Sequence, residues 1–148
     1  MENISDKIQK IRSEYGDKAL VQEDLNGDPV KQFESWLGDA IEVEAAEPNA
    51  MAISTIDSEN NPRSRYVLFK NVVNDCLVFH THYESAKAKE INNNPNVSGL
   101  FFWPEIYRQI RFEGVASIAD SKVSDEYFKS RPRGGQLSAW ASHQSEEI

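Results

Sequence analysis

The sequence predicts an α+β fold in which an antiparallel sheet curls into a barrel. From Ala50 onward apolar and polar residues alternate, and five such stretches follow one another along the chain. Connections of about ten residues join them, which is typical of antiparallel sheets and barrels. Helical patterns gather at the N-terminus and at the strand crossings. Alternating βαβ units are absent, which argues against a Rossmann-type fold.

Two helices are predicted before the sheet. Isoleucines at three- to four-residue spacing predict a helix over 1–14. The second helix has clearer signals, because Asp28 is a good N-cap residue and Pro29 suits the first helical position. Its apolar stripe is formed by Val30, Phe33, Trp36, Leu37, Ala40 and Ile41. Pro48 marks its end.

The alternating pattern predicts strands over 51–56, 63–70, 76–81, 97–103 and 108–118. By parity the second strand presents one set of side chains on each face: Tyr66, Leu68 and Lys70, and opposite them Arg65, Val67 and Phe69. Ser85 is predicted to cap a short helix and Ser121 a longer one, which Pro132 stops. Gly134-Gly135 opens a last segment, 136–142.

Composition indicates one intracellular globular domain. The 148 residues are 39% apolar, no stretch is long enough for a membrane helix, and no signal peptide is visible. The single cysteine, Cys76, fits a reducing cytoplasm and is read as a core residue. The net charge of −8 disfavours nucleic-acid binding, which rewards a broad basic face. The segment 63–133 nevertheless holds eleven basic and eight acidic residues, which suits a small anionic ligand.

The usual catalytic motifs are missing. There is no G-x-S-x-G, no H-E-x-x-H and no C-x-x-C. His80 and His82 alternate across one strand end, so they cannot readily hold one metal, and a structural or surface role is the simpler interpretation. No metal site is predicted.

Anion-binding candidates are better supported. Arg65 and Lys70 lie on opposite faces of one strand, so that strand could serve two anionic groups. Lys87 lies at a helix start, where free N–H groups and the helix dipole favour a phosphate. Arg131 follows Tyr127 near a helix C-terminus. Taken singly, each is explained as well by a solvated surface charge, but their order and spacing together favour a binding role.

This arrangement resembles the pyridoxamine 5′-phosphate oxidase family, also called pyridoxine 5′-phosphate oxidase, over nearly the whole chain. The resembling segments are 12–15, 28–29, 33–37, 65–70, 79–81, 85–88, 93–95, 102–103, 108–109, 127–128, 130–133, 139–142 and 144–145. The most specific are the strand from Arg65 to Lys70 and the run Ser130-Arg131-Pro132-Arg133.

The resemblance implies an FMN-binding split β-barrel that forms a homodimer with two flavin sites at the subunit interface. It implies a single domain over 1–148, with a helical segment at 1–48 and the barrel with its peripheral helices at 50–148. Arg65, Lys87 and Ser145 would hold the FMN phosphate and ribityl chain. The full implied cofactor set is Arg65, Tyr66, Val67, Leu68, Lys70, His80, Thr81, Lys87, Gln109, Gln144 and Ser145.

The implied substrate is a phosphorylated B6 vitamer. Lys70, Tyr127 and Arg131 would bind its phosphate, with Gly135 where the family usually has a serine. Arg12 and Tyr15 would close over it as an N-terminal lid. The reaction would pass a hydride from the substrate C4′ to flavin N5 and yield pyridoxal 5′-phosphate, with O2 reoxidising the flavin. The cofactor carries this chemistry, so no catalytic side chain is implied.

Three departures from the family pattern accompany the resemblance. Ala86 stands where an arginine is usual, Gly135 replaces the serine, and the family normally continues for several strands beyond Ile148. We therefore expect weak FMN binding and slow or absent oxidation by these 148 residues. The alternatives are a flavin- or phosphate-binding module without oxidase activity and a purely structural interaction domain.

Overall fold

The computed structural model describes residues 3–11 and 20–141. Its helices are α1 (Ile4–Lys10), α2 (Pro29–Glu42), α3 (Ala86–Asn93), α4 (Ser121–Ser130) and α5 (Arg133–Ala141). Its strands are β1 (Ala50–Ile56), β2 (Pro62–Val73), β3 (Cys76–Phe79), β4 (Asn96–Trp103) and β5 (Arg108–Val115). Within the described ranges, none of the helices has the length and apolar character needed to cross a membrane.

The five strands form one antiparallel sheet in the order β3-β2-β1-β4-β5. β1 pairs along its whole length with β2, from Ala50 opposite Leu68 to Ile56 opposite Pro62. The central position of β1 fits its residues, since every second one is buried. β2 is therefore fixed beside the middle of the sheet, and β3 and β5 form its two edges.

Helix α2 covers one face of the sheet and supplies the centre of the core. Asp28 caps it as predicted, accepting from the backbone N–H groups of Val30 and Lys31 at 2.9 and 3.3 Å. The Phe33 ring of α2 lies 5.1 Å from Phe69 and 4.9 Å from Phe101, centroid to centroid. Losing such a buried phenyl group typically costs about 3–5 kcal/mol. The aromatic core therefore anchors β2 and β4 against α2.

Gly99 is needed where β4 meets β5. It pairs with Phe112, whose ring lies over the glycine so closely that a Cβ there would be 2.0 Å from the ring. Any side chain at position 99 would have to displace that ring. Glycine at position 99 therefore lets the Phe112 ring pack directly on the backbone of β4.

The ladder between β2 and β3 contains a β-bulge at Lys70. Its pairing steps from Phe69 opposite Phe79 to Asn71 opposite Val78, so Lys70 is the extra residue on β2. A bulge bends its strand and redirects the side chain that it carries. Lys70 thus leaves the regular alternation of the strand at the place where the candidate site begins.

Several sequence predictions need correction. Cys76 is exposed and is not a core residue, because it begins the edge strand β3. Asp120, not Ser121, caps α4, since its carboxylate accepts from the N–H of Lys122 at 2.8 Å. Ser85 occupies the N-cap position of α3 but makes no side-chain capping bond.

Element ends also differ from prediction. β3 ends at Phe79 and β5 at Val115, both earlier than the alternation suggests, while β2 extends to Val73. α5 begins at Arg133 and includes the two glycines that were expected to precede it. The described part of the first helix covers Ile4–Lys10.

Candidate functional site

The candidate site lies where β2 passes the end of β3 and the start of α3. A cavity of about 170 Å³ opens there. It is lined by Tyr66, Val67, Leu68, Lys70, His80, Thr81, Lys87 and Tyr127. All eight come from the residues that the sequence singled out, and they belong to three parts of the chain far apart in sequence.

Lys87 is the most unusual residue of the cavity because it is a buried cation. The residue is 8% exposed, and its Nζ donates to Thr81 Oγ1 at 3.1 Å. Burial, and next the positive charge of Arg65, hold the pKa of Lys87 below its usual 10.5, while Glu90 opposes this shift. Arg65 and Lys87 together carry more positive charge than the single carboxylate of Glu90 offsets, so this part of the site favours an anionic ligand.

Arg65 is close enough to Lys87 to influence its pKa, but it does not itself line the cavity and is already hydrogen-bonded within the chain. Its Nη2 donates to Glu90 Oε2 at 2.7 Å, and its Nη1 donates to the Arg63 carbonyl at 3.1 Å and to Thr55 Oγ1. The Arg65 and Glu90 side chains are only 23% and 13% exposed. We call Thr55, Arg65, Lys87 and Glu90 the buried charge cluster.

A second cluster stands at the other side of the cavity. The His80 and Tyr127 rings are stacked, with centroids 3.8 Å apart and planes 3° from parallel. Lys70 Nζ and Arg131 Cζ both lie over the Tyr127 ring, at 5.6 and 5.9 Å from its centroid. We call Lys70, His80, Tyr127 and Arg131 the aromatic cluster.

His80 has an altered titration because of this surrounding. Partial burial, and then the charges of Lys70 and Arg131, lower the pKa of His80 below its usual 6.5. The imidazole is therefore neutral at pH 7. The cluster carries two cations beside a neutral aromatic pair, which suits a ligand with an anionic group and a planar ring.

A larger cavity of about 430 Å³ adjoins the aromatic cluster on β2 and α4. It is lined by Lys70, Asn71, Val73, His80, Val123, Glu126, Tyr127 and Ser130. Lys70, His80 and Tyr127 line both cavities and so form the wall between them.

Gly135 lies next to the side chain of Arg131. A Cβ on Gly135 would be 3.4 Å from Arg131 Nε, which is ordinary contact. Any small side chain at position 135 would thus reach the guanidinium of the aromatic cluster.

Not every predicted site residue reaches this place. Gln109 is exposed on the edge strand β5, which two strands separate from β2, and lines neither cavity. Four other predicted residues, Arg12, Tyr15, Gln144 and Ser145, lie outside the described residues. Their roles stay predictions.

Sequence reasoning missed two members of the buried charge cluster, Thr55 and Glu90. Glu90 follows Lys87 by three residues on a predicted helix, so the two could have been placed on one face. Thr55 gives no local signal, because its contact with Arg65 depends on the pairing of β1 with β2.

Known proteins resemble this chain over most of its length. The profile of the family described as "Pyridoxamine 5'-phosphate oxidase" matches residues 37–148. A pyridoxine/pyridoxamine 5′-phosphate oxidase of Leptospira interrogans is 44% identical over 142 residues, covering 96% of this chain and 66% of the relative. One from Chromobacterium violaceum is 46% identical over 145 residues, covering 98% and 68%. The chain thus spans about two thirds of the length of these curated relatives.

Solved structures place the fold. PhzG from Burkholderia lata 383, in complex with tetrahydrophenazine-1-carboxylic acid, superposes with a TM-score of 0.81 at 29% identity, covering 88% of this chain and 65% of PhzG. A pyridoxamine 5′-phosphate oxidase-related, FMN-binding protein of Nostoc punctiforme gives 0.65 at 17% identity, covering 84% and 68%. The predicted split-barrel fold is confirmed. The profile match over most of the sequence, together with relatives more than 40% identical, shows that the chain belongs to the pyridoxamine 5′-phosphate oxidase family.

Proposed function

We propose that this chain binds FMN and oxidises pyridoxamine 5′-phosphate or pyridoxine 5′-phosphate to pyridoxal 5′-phosphate, with O2 as the final electron acceptor. The observation that carries the proposal is that one cavity is lined both by Lys87 of the buried charge cluster and by Lys70 of the aromatic cluster. FMN and the substrate each bring one phosphate, so the reaction needs two such clusters. The names of the relatives that share 44% and 46% of their aligned residues with the chain support the same reaction.

The donors of the buried charge cluster fit a flavin phosphate. Lys87 and Arg65 provide two cations, and Lys87 lies in the first turn of helix α3, whose dipole favours an anion at that end. Tyr66, Val67 and Leu68 line the cavity along β2 and would contact the rest of the cofactor, with Thr81 and His80 opposite. Bound FMN would supply the hydride acceptor, which no side chain of the chain can replace.

The aromatic cluster would take the substrate phosphate. Lys70 and Arg131 supply the charges, and the Tyr127 ring holds both cations close to one another. The side chains of this chain would then bind and orient the substrate and exclude water from the reacting carbon. Orientation of this kind matters, since a misplacement of ~1 Å can cost about 100-fold in rate. Arg12 and Tyr15 would close over the substrate.

We further propose a cytoplasmic homodimer, built from the single domain 1–148, with the flavin at the subunit interface. Several large side chains are exposed and would be covered by a partner, among them Tyr66 (78%), Phe102 (62%) and Trp140 (82%). A partner subunit could also bring Gln109 to the site, which its own β5 does not. Gln144 and Ser145 would complete the cofactor contacts.

A flavin-binding protein without this oxidase activity is the second candidate. Ala86 offers no cation where the family usually has an arginine, and the 148 residues match only about two thirds of their curated relatives. PhzG, which has the same fold, binds a different small molecule, tetrahydrophenazine-1-carboxylic acid. A protein of this second kind would bind FMN and form no pyridoxal 5′-phosphate.

The test measures O2 consumption and pyridoxal 5′-phosphate formation with saturating FMN and either substrate, beside the Chromobacterium violaceum relative. Product formed at a reduced rate supports the oxidase. Yellow protein that forms no product supports the second candidate. A protein that is colourless after incubation with FMN and removal of the free FMN contradicts both candidate functions.

A further inference from the structure

We infer that Glu90 is a positioning residue for the phosphate end of the flavin site, where it fixes Arg65 and at the same time weakens phosphate binding. The inference rests on the proposed function, since it assumes that the phosphate of FMN binds beside Arg65 and Lys87. Glu90 itself would not contact the reacting atoms. It would act through the guanidinium that it holds.

The contacts of Glu90 are those of a built network and not of a loose surface pair. Its Oε2 accepts from Arg65 Nη2 at 2.7 Å and also contacts Thr55 Oγ1, which in turn accepts from Arg65 Nη1. Thr55 is 1% exposed. Three groups on β1, β2 and α3 therefore close a triangle that leaves the guanidinium little freedom to turn.

The network leaves Arg65 able to bind a further anion. A guanidinium has five N–H groups, and Arg65 makes three donated contacts within the described chain, two from Nη1 and one from Nη2. The remaining N–H groups keep a fixed direction because the others are held. A phosphate thus meets an oriented donor and does not have to organise it.

The same carboxylate lowers the positive charge that a phosphate meets. Arg65 and Lys87 give the buried charge cluster a charge of +2, and Glu90 reduces it to +1. Glu90 partly opposes the lowering of the Lys87 pKa, so the negative charge of Glu90 acts on Lys87 as well as on Arg65. A flavin phosphate carries close to two negative charges at pH 7, so Glu90 repels it while holding its partner in place.

Glu90→Gln separates the two effects, because the amide can still accept from Arg65 but carries no charge. We expect FMN to bind about three- to tenfold more tightly, as one like charge at a separation of several ångströms is removed from a partly buried site. Riboflavin has the same ring system and no phosphate, so its affinity should change by less than about twofold. The readout is the ratio of the FMN and riboflavin dissociation constants from equilibrium dialysis.

Glu90→Asp tests the positioning role and also serves if Glu90→Gln fails to fold. It keeps the charge but draws the carboxylate back by one methylene, out of reach of Arg65 Nη2. We expect FMN affinity to fall about two- to fivefold, because the guanidinium loses its fixed orientation. Riboflavin affinity should again stay unchanged. The matched control is Glu34→Gln, which removes one charge from an exposed position on α2. It should leave the ratio of the FMN and riboflavin dissociation constants unchanged.

The outcomes distinguish the inference from the proposed function. If the unmodified chain binds FMN but Glu90→Gln leaves the FMN to riboflavin ratio unchanged, the inference is wrong and the proposed function stands. If both flavins change together, Glu90 is merely structural and the inference is wrong as well. A chain that binds neither flavin overturns the proposed function and this inference with it.

Discussion

The buried charge cluster and the aromatic cluster each hold two cations close together, but they do so in different ways. The buried charge cluster keeps its cations inside the protein and compensates them with Glu90 and Thr55. The aromatic cluster spaces its cations over the Tyr127 ring, and no acidic side chain of the described chain pairs with Lys70 or Arg131. The first arrangement suits a ligand that stays bound, and the second suits one that must leave after each reaction.

Arg65→Ala should give the largest effect. It removes a charge-assisted contact worth roughly 1.5–3 kcal/mol, or about 10- to 100-fold in FMN affinity. The loss should fall toward the upper end, because Glu90 is left without its partner beside the phosphate. Isothermal titration with FMN measures it, and Arg63→Ala, which pairs with Asp57 at the β1–β2 turn, is the control. A loss of less than twofold would show that the phosphate binds elsewhere.

Lys70→Ala should have the opposite selectivity. We expect FMN affinity to stay almost unchanged and the affinity for pyridoxal 5′-phosphate to fall about tenfold, since Arg131 and Tyr127 remain. Titration of the FMN-loaded protein with pyridoxal 5′-phosphate measures the second value. Equal losses of FMN affinity in the Lys70 and Arg65 variants would mean that the two clusters serve one ligand.

Gly135→Ser should have a smaller effect, and a favourable one. The new Cβ fits beside Arg131 without strain, and the hydroxyl adds one donor to the aromatic cluster. Pyridoxal 5′-phosphate should bind about two- to fivefold more tightly, the usual value of one neutral hydrogen bond. Gly134→Ser is the matched control, because a Cβ there contacts nothing within 4 Å. An equal gain in pyridoxal 5′-phosphate affinity in both variants would contradict the prediction, because it would point to a more stable α5 and not to a contact with Arg131.

His80 should report on the occupancy of the aromatic cluster with the smallest change. Burial is the main cause of the lowered His80 pKa and persists in the complex, but an anion between Lys70 and Arg131 offsets the two charges that lower it further. The pKa of His80 should therefore rise when pyridoxal 5′-phosphate binds. Binding therefore takes up a proton, and the affinity should increase as pH falls from 6.5 through the pKa of His80 in the free protein. Glu126, which lines the larger cavity, is an acidic side chain facing the same wall. NMR titration of the imidazole measures both values. If the pKa of His80 is unchanged in the saturated protein, the phosphate does not bind at the aromatic cluster.

The same pKa predicts a stability trend in the ligand-free protein. His80 is harder to protonate when folded, so the unfolded chain binds more protons between the lowered pKa and 6.5. The free energy of unfolding should therefore fall as pH decreases through that window. Urea titrations at several pH values test this, and a His80→Phe variant should lack that part of the dependence.

Local signals in the sequence were enough for most of the fold. Asp28 and Pro29 mark the start of α2, and period-two alternation marks all five strands, because both depend on neighbours along the chain. Strand ends were less predictable: β3 stops at Phe79 because its ladder with β2 stops there. The exposure of Cys76 follows from an edge position that only the strand order reveals.

The site divides in the same way. Lys87 was a candidate because it lies at a helix start, and Thr81 and the β2 residues because of the family resemblance. The structure brings Lys87, Thr81 and Tyr66–Leu68 to one cavity. The roles of Glu90 and Thr55 depend on contacts across 25 and 10 positions of sequence. Such contacts are set by strand register and helix placement, which alternation alone does not determine.

The bulge at Lys70 makes the length of β2 as important as its composition. Replacing the lysine changes a charge and leaves the spacing of the strand intact. Deleting it would join Phe69 directly to Asn71 and give a regular ladder in which Asn71, Val72 and Val73 keep their β3 partners. The strand would then lose the bend that the bulge gives it, and the cavities would lose Lys70. Substitutions at position 70 should therefore be tolerated by the fold, whereas a one-residue deletion or insertion between Phe69 and Val73 should disrupt the wall shared by both cavities.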